Sequence, residues 1–225
     1  MAKVSIEQQL EKMRRDWDQR AKKNARHYVE SSREHWTDED FFRSGEQTVA
    51  EEIHTDMYNV CQGKQPGAMR VLEIGCGAGR VTRALAKMFG EVHAVDVSGE
   101  MVQAARRALA DFRNVFLYQN NGKDLRVVPE VEFDFAFSTI VFQHIPSRAV
   151  IESYVQEVHR LLRSGALFKF QVQGHISATV DPNDTWHGIS FSPEQAAEMA
   201  NRCGFEFRYQ HGAGDQYYML WFFKR

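Results

Sequence analysis

The sequence predicts a doubly wound α/β fold: a seven-stranded sheet that ends in an antiparallel C-terminal hairpin, preceded by a helical N-terminal cap. Three observations predict it. From residue 70 onward, short apolar runs alternate with stretches of helical period, the pattern of a parallel sheet with helices on both faces. The first run leads through a glycine-rich turn directly into a helix. The last two runs are separated by too few residues for a crossover helix, so they must pair as a hairpin.

The elements follow in order. Residues 5–30 read as helix, because Ile6, Leu10, Met13, Trp17, Ala21, Ala25 and Tyr28 recur at steps of three or four. Ser5 with Gln8 matches a capping box at its start. The other face is basic: between Glu11 and Arg26 there are seven Lys and Arg against three acids. A second helical stretch near 38–61 runs into Gln62-Gly-Lys-Gln-Pro-Gly67, the clearest internal boundary in the chain. We therefore expect a cap or lid over residues 1–67 and the sheet domain over 68–225. The strand runs are Arg70–Ile74, Glu91–Val95, Val115–Tyr118, Phe133–Phe137, Leu167–Val172, Phe205–Gln210 and Gln216–Phe223. The helix after the first run carries Val81, Leu85 and Met88 inward and stops at Gly90, read as a C′ residue. The next follows Ser98 as N-cap and turns Met101, Ala105, Ala108 and Leu109 inward.

Composition narrows the class. The 225 residues are 43% apolar and 26% charged, close to the average for soluble globular chains and unlike collagen-like, coiled-coil or low-complexity sequences. A chain this long buries about 70–75% of its unfolded surface and needs no disulfide or metal staple. Its 28 Lys and Arg balance 30 Asp and Glu, so no global charge points to nucleic acid or a membrane. Cys61, Cys76 and Cys203 are far apart and form neither a CxxC nor a Cys/His cluster, so no metal site is expected and a reducing cytoplasm fits. The charged start MAKVSIEQQLEKMRRDW has no signal-peptide core, and no stretch approaches the roughly 20 apolar residues of a membrane span. A cytoplasmic location is expected.

The decisive segment is Val71-Leu-Glu-Ile-Gly75-Cys-Gly77-Ala-Gly79-Arg80. Glycines there let the backbone approach a ligand and adopt dihedrals a Cβ forbids. Twenty-one residues after Gly75, Asp96 ends the second strand, where an acid reaches the vicinal hydroxyls of a ribose. The spacing is G-x-G-x-G, and neither register gives the dinucleotide G-x-G-x-x-G, since the sixth positions are Arg80 and Thr82. Glu73 opposes a pyrophosphate and suits a cationic amino-acid portion. No phosphate-binding G-x-x-x-x-G-K-[ST] is present.

Glu73-Ile-Gly75-Cys-Gly77-Ala-Gly79 resembles motif I of class I S-adenosylmethionine-dependent methyltransferases, closest to the methyltransferase type 11 group. The resemblance covers roughly residues 68–225 and implies a Rossmann-like fold and S-adenosylmethionine as cofactor, with S-adenosylhomocysteine as its product. It implies that Gly75, Cys76, Gly77, Gly79 and Arg80 pack along the cofactor and that Asp96 holds its ribose. Asp96-Val97-Ser98-Gly-Glu-Met101 is similar to the family pattern in which the Met position packs on adenine. Asn114-Val-Phe-Leu-Tyr-Gln-Asn-Asn121-Gly122 resembles the segment after the third strand; the family's adenine-binding Asp is replaced by Asn121, whose amide oxygen can still accept. Phe133 to Pro146 resembles the fourth strand and its loop, with Ser138, Gln143 and His144, and Leu161 to Phe168 resembles the approach to the fifth strand.

Methyl transfer from a sulfonium is an in-line displacement that needs alignment, dryness and, for a protonated nucleophile, a general base. His144, just past the fourth strand at the carboxyl edge of the sheet, is the base candidate, against a reading as a local cap or cofactor-lining residue. Gln143 is expected in the cofactor pocket. Cys76 inside the glycine loop reads as small-residue packing rather than a nucleophile. Trp17, Arg20, Tyr28 and Arg43 ahead of motif I, and Trp186 and His187 in the long segment Gly174–Ser192, are candidate substrate residues. For Trp17, packing of the amphipathic helix is an equal reading, and His27 and His187 each have surface roles as alternatives.

The function expected is methyl transfer to a small organic acceptor through an oxygen, nitrogen, carbon or sulfur nucleophile. The alternative is an RNA or tRNA methyltransferase using the basic N-terminal helix; against it stand Ser138-Thr-Ile-Val in place of Asn/Asp-Pro-Pro-Tyr and the lack of an RNA-binding appendage. A nicotinamide oxidoreductase is opposed by the failed glycine register, and a non-catalytic cofactor-binding protein remains as a further reading. The oligomeric state is not encoded in these features.

Overall fold

Apolar, β-branched and aromatic runs build the centre of the molecule, as expected of strands buried on both faces. The computed structural model describes residues 5–175 and 184–225. Its strands are β1 (Arg70–Ile74), β2 (Glu91–Asp96), β3 (Val115–Gln119), β4 (Phe133–Ser138), β5 (Leu162–Val172), β6 (Phe205–His211) and β7 (Tyr218–Lys224). They form one seven-stranded sheet in the order β3-β2-β1-β4-β5-β7-β6. The first five strands are parallel, and β7 enters antiparallel between β5 and β6. Strand order reverses between β1 and β4, so their carboxyl ends open the crevice in which doubly wound sheets bind ligands.

The helices are α1 (Ile6–Val29), α2 (Asp38–Glu52), α3 (Met57–Cys61), α4 (Arg80–Met88), α5 (Gly99–Ala108), α6 (Arg148–Leu161) and α7 (Pro193–Arg202). The Ser5/Gln8 capping box forms at the start of α1, and Ser98 Oγ accepts from Met101 N at 3.1 Å at the start of α5. Helix α1 is kinked at Asn24 (φ −168°, ψ 86°), whose side chain donates to Glu34 O at 2.8 Å and accepts from His27 N at 3.2 Å. Asn24 thus caps the last turn of α1 as a new start, and the bend carries Tyr28 and Val29 over the glycine loop.

The helices ahead of the sheet share its core. Met13 packs with Leu72 and Ile74 on one side of the sheet, and Val49, Ile53, Val60 and Cys61 pack with Val71, Val81 and Phe135 on the other. Among the described residues, no helix is long and apolar enough to cross a membrane.

Several local expectations are corrected. The stretch 38–61 is two helices joined by a 3₁₀ turn at His54–Asp56, and Lys169 donates to the Glu52 carbonyl at that break. Strand β5 begins at Leu162 rather than Leu167, through a register shift against β4 and a left-handed Gly165. Gly90 is not a left-handed helix cap. Its place is set by crowding, since a Cβ there would lie 2.4 Å from Gly67 O. Ala108 is exposed, and Val102 takes the inward position. Ile6 is likewise exposed, and β7 starts at Tyr218, leaving Gln216 and Tyr217 in the turn. Of the long segment after β5, residues 176–183 lie outside the described residues.

Candidate active site

β1 delivers its last residues into the loop Gly75–Gly79, and α4 leaves from it. The amides of Gly75 and Cys76 both donate to Val95 O, at 2.8 and 3.0 Å, which folds the loop against the end of β2. Two glycines are required by geometry. Gly75 has φ +81° and a Cβ there would lie 2.1 Å from Val141 Cγ2; Gly77 has φ +50° and would meet Val29 Cγ2 at 2.5 Å.

Asp96 closes the loop from the side. Its Oδ2 accepts from Gly77 N and its Oδ1 from Ser98 N, each at 2.9 Å. Burial pushes its carboxyl up to about 6, opposed by these backbone donors. Each oxygen keeps a lone pair, so the carboxylate can accept from two adjacent hydroxyl groups. Helix α1 reaches the same corner, where Ser98 Oγ donates to Asp18 at 2.6 Å.

Below the loop lies a set of unsatisfied groups. Glu73 is buried, its Oε2 has no hydrogen-bond partner, and burial pushes its carboxyl up to about 7. Arg80, also buried, donates to Ser44 O at 3.1 Å and Thr48 Oγ1 at 3.0 Å, while its Nε is unpartnered. Its nearest carboxylate contact is Glu30, at 4.0 Å. A carboxylate and a guanidinium nitrogen left unpaired in one wall suit a zwitterionic ligand end, an ammonium for the one and a carboxylate for the other. With Asp96, whose carboxylate can accept from a diol, this set of groups fits S-adenosylmethionine.

The cleft above these residues encloses about 830 Å³, counting its open mouth. Glu73, Gly75, Cys76, Gly77, Arg80, Asp96, Val97 and Met101 line it, with Trp17, Tyr28 and His144 on the facing side. A second chamber of about 610 Å³, counting its open mouth, adjoins it and shares Tyr28, Val29, Ile140 and His144 with the first.

His144 stands in the common wall. Its Nδ1 donates to the carbonyl oxygen of Trp186 at 2.5 Å, which fixes the tautomer because that oxygen can only accept. Its Nε2 lies 3.3 Å from Gln143 Nε2, and Gln143 Oε1 accepts from Gln171 Nε2 at 2.8 Å. Burial pulls the imidazole down to about 4, so it is neutral at physiological pH. Ile140, which lines both chambers, has φ +57°, rare for a β-branched residue. Its N–H donates to Gln171 Oε1 at 2.7 Å.

The remaining expected residues divide. Trp186 lines the second chamber, stacked 6.1 Å from Trp17, and Arg20 lies over both rings while donating to Thr185 O at 3.0 Å. His187 is on the chamber rim, paired with Asp184 at 2.7 Å. Gln143 is buried between the chamber and Gln171 rather than in the first cleft. Ser138 is buried and donates to Ile74 O at 2.9 Å; Gly79 and Gly122 support the loops behind the cleft without lining it.

Two residues are displaced from their expected places. Asn121 is exposed, its Oδ1 accepting from Lys123 N and Asp124 N in a side-chain turn; Asn120 lines the cleft instead, donating to Tyr154 Oη at 2.8 Å. A one-residue slip after β3 accounts for this, and only the doubled Asn120-Asn121 hinted at it. Arg43 faces outward to Glu39 and Asp40, in a polar recess separate from the cleft. Sequence reasoning also missed Met13, Val29 and Ile140, which line the chambers without any motif to mark them. Among the described residues, no three His, Cys, Asp or Glu side chains come together as a metal site.

Residues 71–165 match a family model described as a methyltransferase domain. Malonyl-[acyl-carrier protein] O-methyltransferase of Enterobacter lignolyticus is 33% identical over 126 residues, covering 55% of this chain and 46% of that protein. Ubiquinone biosynthesis O-methyltransferase of Xanthomonas campestris is 32% identical over 87 residues, covering 38% and 36%. The chain thus spans about half the length, or less, of these relatives. Magnesium protoporphyrin IX methyltransferase from Synechocystis, solved with bound S-adenosylmethionine, shares the fold with a TM-score of 0.68 at 15% identity, covering 100% of each chain. The motif order, the sheet order and these matches agree: residues 71–165 match a methyltransferase domain, on a fold shared with S-adenosylmethionine-binding methyltransferases.

Proposed function

We propose that the chain transfers a methyl group from S-adenosylmethionine to a small organic acceptor held in the second chamber. The observation that carries this reading is the shared wall: the chamber lined by Glu73 and Asp96 meets the chamber lined by Trp186 at His144 and Ile140. In this reading Asp96 accepts from the ribose hydroxyls, Glu73 takes the ammonium, and Met101 and Asn120 flank the base. Bound there, S-adenosylmethionine supplies an electrophilic methyl group on a sulfonium that leaves without protonation.

The chain's own contribution is orientation and dryness. Helix α1, as a lid, places Trp17, Tyr28 and Val29 across the opening, and an acceptor between the two walls loses rotational freedom before reaction. His144 receives the proton of an O–H or N–H acceptor at Nε2, because Nδ1 already carries a hydrogen donated to Trp186. The 3.3 Å separation from Gln143 Nε2 is long for a hydrogen bond, so an acceptor proton competes for that lone pair.

A small acceptor is favoured over RNA because three of the seven basic residues on that face of α1 are paired within the chain. Lys12 meets Asp16, Lys22 meets Glu100 and Arg26 meets Asp38. The relatives' names, O-methyltransferases of a malonyl carrier and of ubiquinone biosynthesis, make oxygen one nucleophile to screen. The test is a screen with methyl-labelled S-adenosylmethionine against phenols, amines, thiols and carboxylic acids, with total RNA alongside. Label in a small molecule supports the reading; label in RNA alone overturns it.

A further inference from the structure

The lining of the second chamber carries information on the acceptor's charge. Five ring-bearing side chains line it, Tyr28, His144, Trp186, His187 and Tyr217; His144 and Trp186 lie 5.0 Å apart, and Tyr28 meets Trp186 edge-on at 6.0 Å. No Lys or Arg lines it among the described residues. Arg20, the cation beside Trp186, lies over the rings of Trp17 and Trp186, donates to Thr185 O and stands outside the lining. His187 at the rim is paired with Asp184.

Two acceptor groups of the lining lack a strong donor, although Ser31, Gln143, Gln216 and Tyr217 in the same lining can also donate. Glu30 brings a carboxylate, which accepts from Ser32 N at 3.2 Å and meets Arg80 only at 4.0 Å. Gln173 brings a buried Oε1 with no partner. A buried acceptor oxygen without a donor is costly, and the cost is relieved by a ligand N–H or O–H. A carboxylate or phosphate group in the same place would face Glu30 and the Gln173 oxygen with no lining cation to offset them.

We infer that the second chamber selects an aromatic amine, its ring set among Tyr28, Trp186 and His144 and its amine donating to Gln173 Oε1 and the Glu30 carboxylate. The inference rests on the reading that this chamber holds the methyl acceptor. Rings offer their negative faces to cations, so the aromatic wall and the carboxylate act in the same direction.

The test uses matched pairs that differ in the charge of one group: tyramine with 4-hydroxyphenylacetate, and tryptamine with indole-3-acetate. Each is titrated calorimetrically into the full chain saturated with S-adenosylhomocysteine. The amine member of each pair is expected to bind at least tenfold tighter. Glu30→Gln and Gln173→Leu, checked for unchanged thermal melting, are each expected to reduce that preference at least threefold. Carboxylate members that bind equally or better, amines that do not bind, or variants that keep the full preference would overturn the inference. The preceding titration with S-adenosylhomocysteine separates the two readings: its failure removes the methyltransferase reading and this inference together, whereas its success with a lost amine preference removes only the inference.

Discussion

His144 donates from Nδ1 to the carbonyl oxygen of Trp186 at 2.5 Å, tying the loop after β4 to the loop before α7. One contact thereby fixes the ring's tautomer and holds the Trp186 segment over the second chamber. Burial pulls the imidazole down to about 4, so it remains an acceptor across the physiological range.

That environment predicts a flat pH dependence from this group. Between pH 6 and 9, kcat should show no limb near 6.5 that His144→Gln abolishes. With an O–H or N–H acceptor, His144→Gln should lower kcat by about 10²-fold or more, with S-adenosylhomocysteine affinity within threefold of wild type. Unchanged kcat would remove His144 from the proton path.

Gln171 ties three elements together. It accepts from Ile140 N at 2.7 Å and donates to Gln143 Oε1 at 2.8 Å and Gln216 O at 3.3 Å. Gln171→Ala should release the strained Ile140 and loosen Gln143, lowering kcat about tenfold with less than a threefold change in cofactor KM. A change confined to melting temperature would mean that Gln171 is structural only.

Glu73 is held against its ionised form, with its carboxyl raised to about 7. A raised carboxyl makes the ligand-free fold less stable as pH climbs from the unfolded value near 4.5 through 7. His144, lowered to about 4, acts in the opposite direction over an overlapping range, so the difference between wild type and variant is the useful quantity. Glu73→Gln should be more stable than wild type by about 1–3 kcal/mol at pH 8, with the advantage shrinking toward pH 5. The same variant should bind S-adenosylhomocysteine more weakly. Denaturant melts at both pH values test the first, and an advantage that grows toward pH 5 would contradict the sign.

Gly45 sets the distance between α2 and α4. A Cβ there would fall 2.0 Å from Arg80 O, a backbone atom that cannot swing aside. Gly45→Ala should cost at least about 2 kcal/mol despite the higher helix propensity of alanine. Unchanged or higher stability would show that the two helices separate freely.

Much of this was legible in the residues. The strand runs, the G-x-G-x-G turn and Asp96 at the end of β2 are local patterns, and the structure places the loop and the acid 2.9 Å apart through Gly77 N and Asp96 Oδ2. What stayed hidden depends on contacts between distant segments. Lys169 is fully buried within an apolar strand, beside Glu52 at 3.0 Å and over the Trp221 ring, and nothing in β5 alone announces partners from the N-terminal helices. Ile140 adopts a left-handed backbone that its side chain disfavours, held by a glutamine thirty-one residues away. Asn120 and Asn121 are chemically identical neighbours, so only the turn geometry decides which faces the cleft.

The central claim is that the cleft beneath the glycine loop takes S-adenosylmethionine through Asp96. Its most direct test is calorimetric titration of wild type and Asp96→Ala with S-adenosylhomocysteine, with NADH in parallel. The account predicts micromolar binding of S-adenosylhomocysteine by wild type, a loss of about 1–3 kcal/mol in the variant, and no binding of NADH. Binding of NADH alone, or equal affinity in the two proteins, would contradict it.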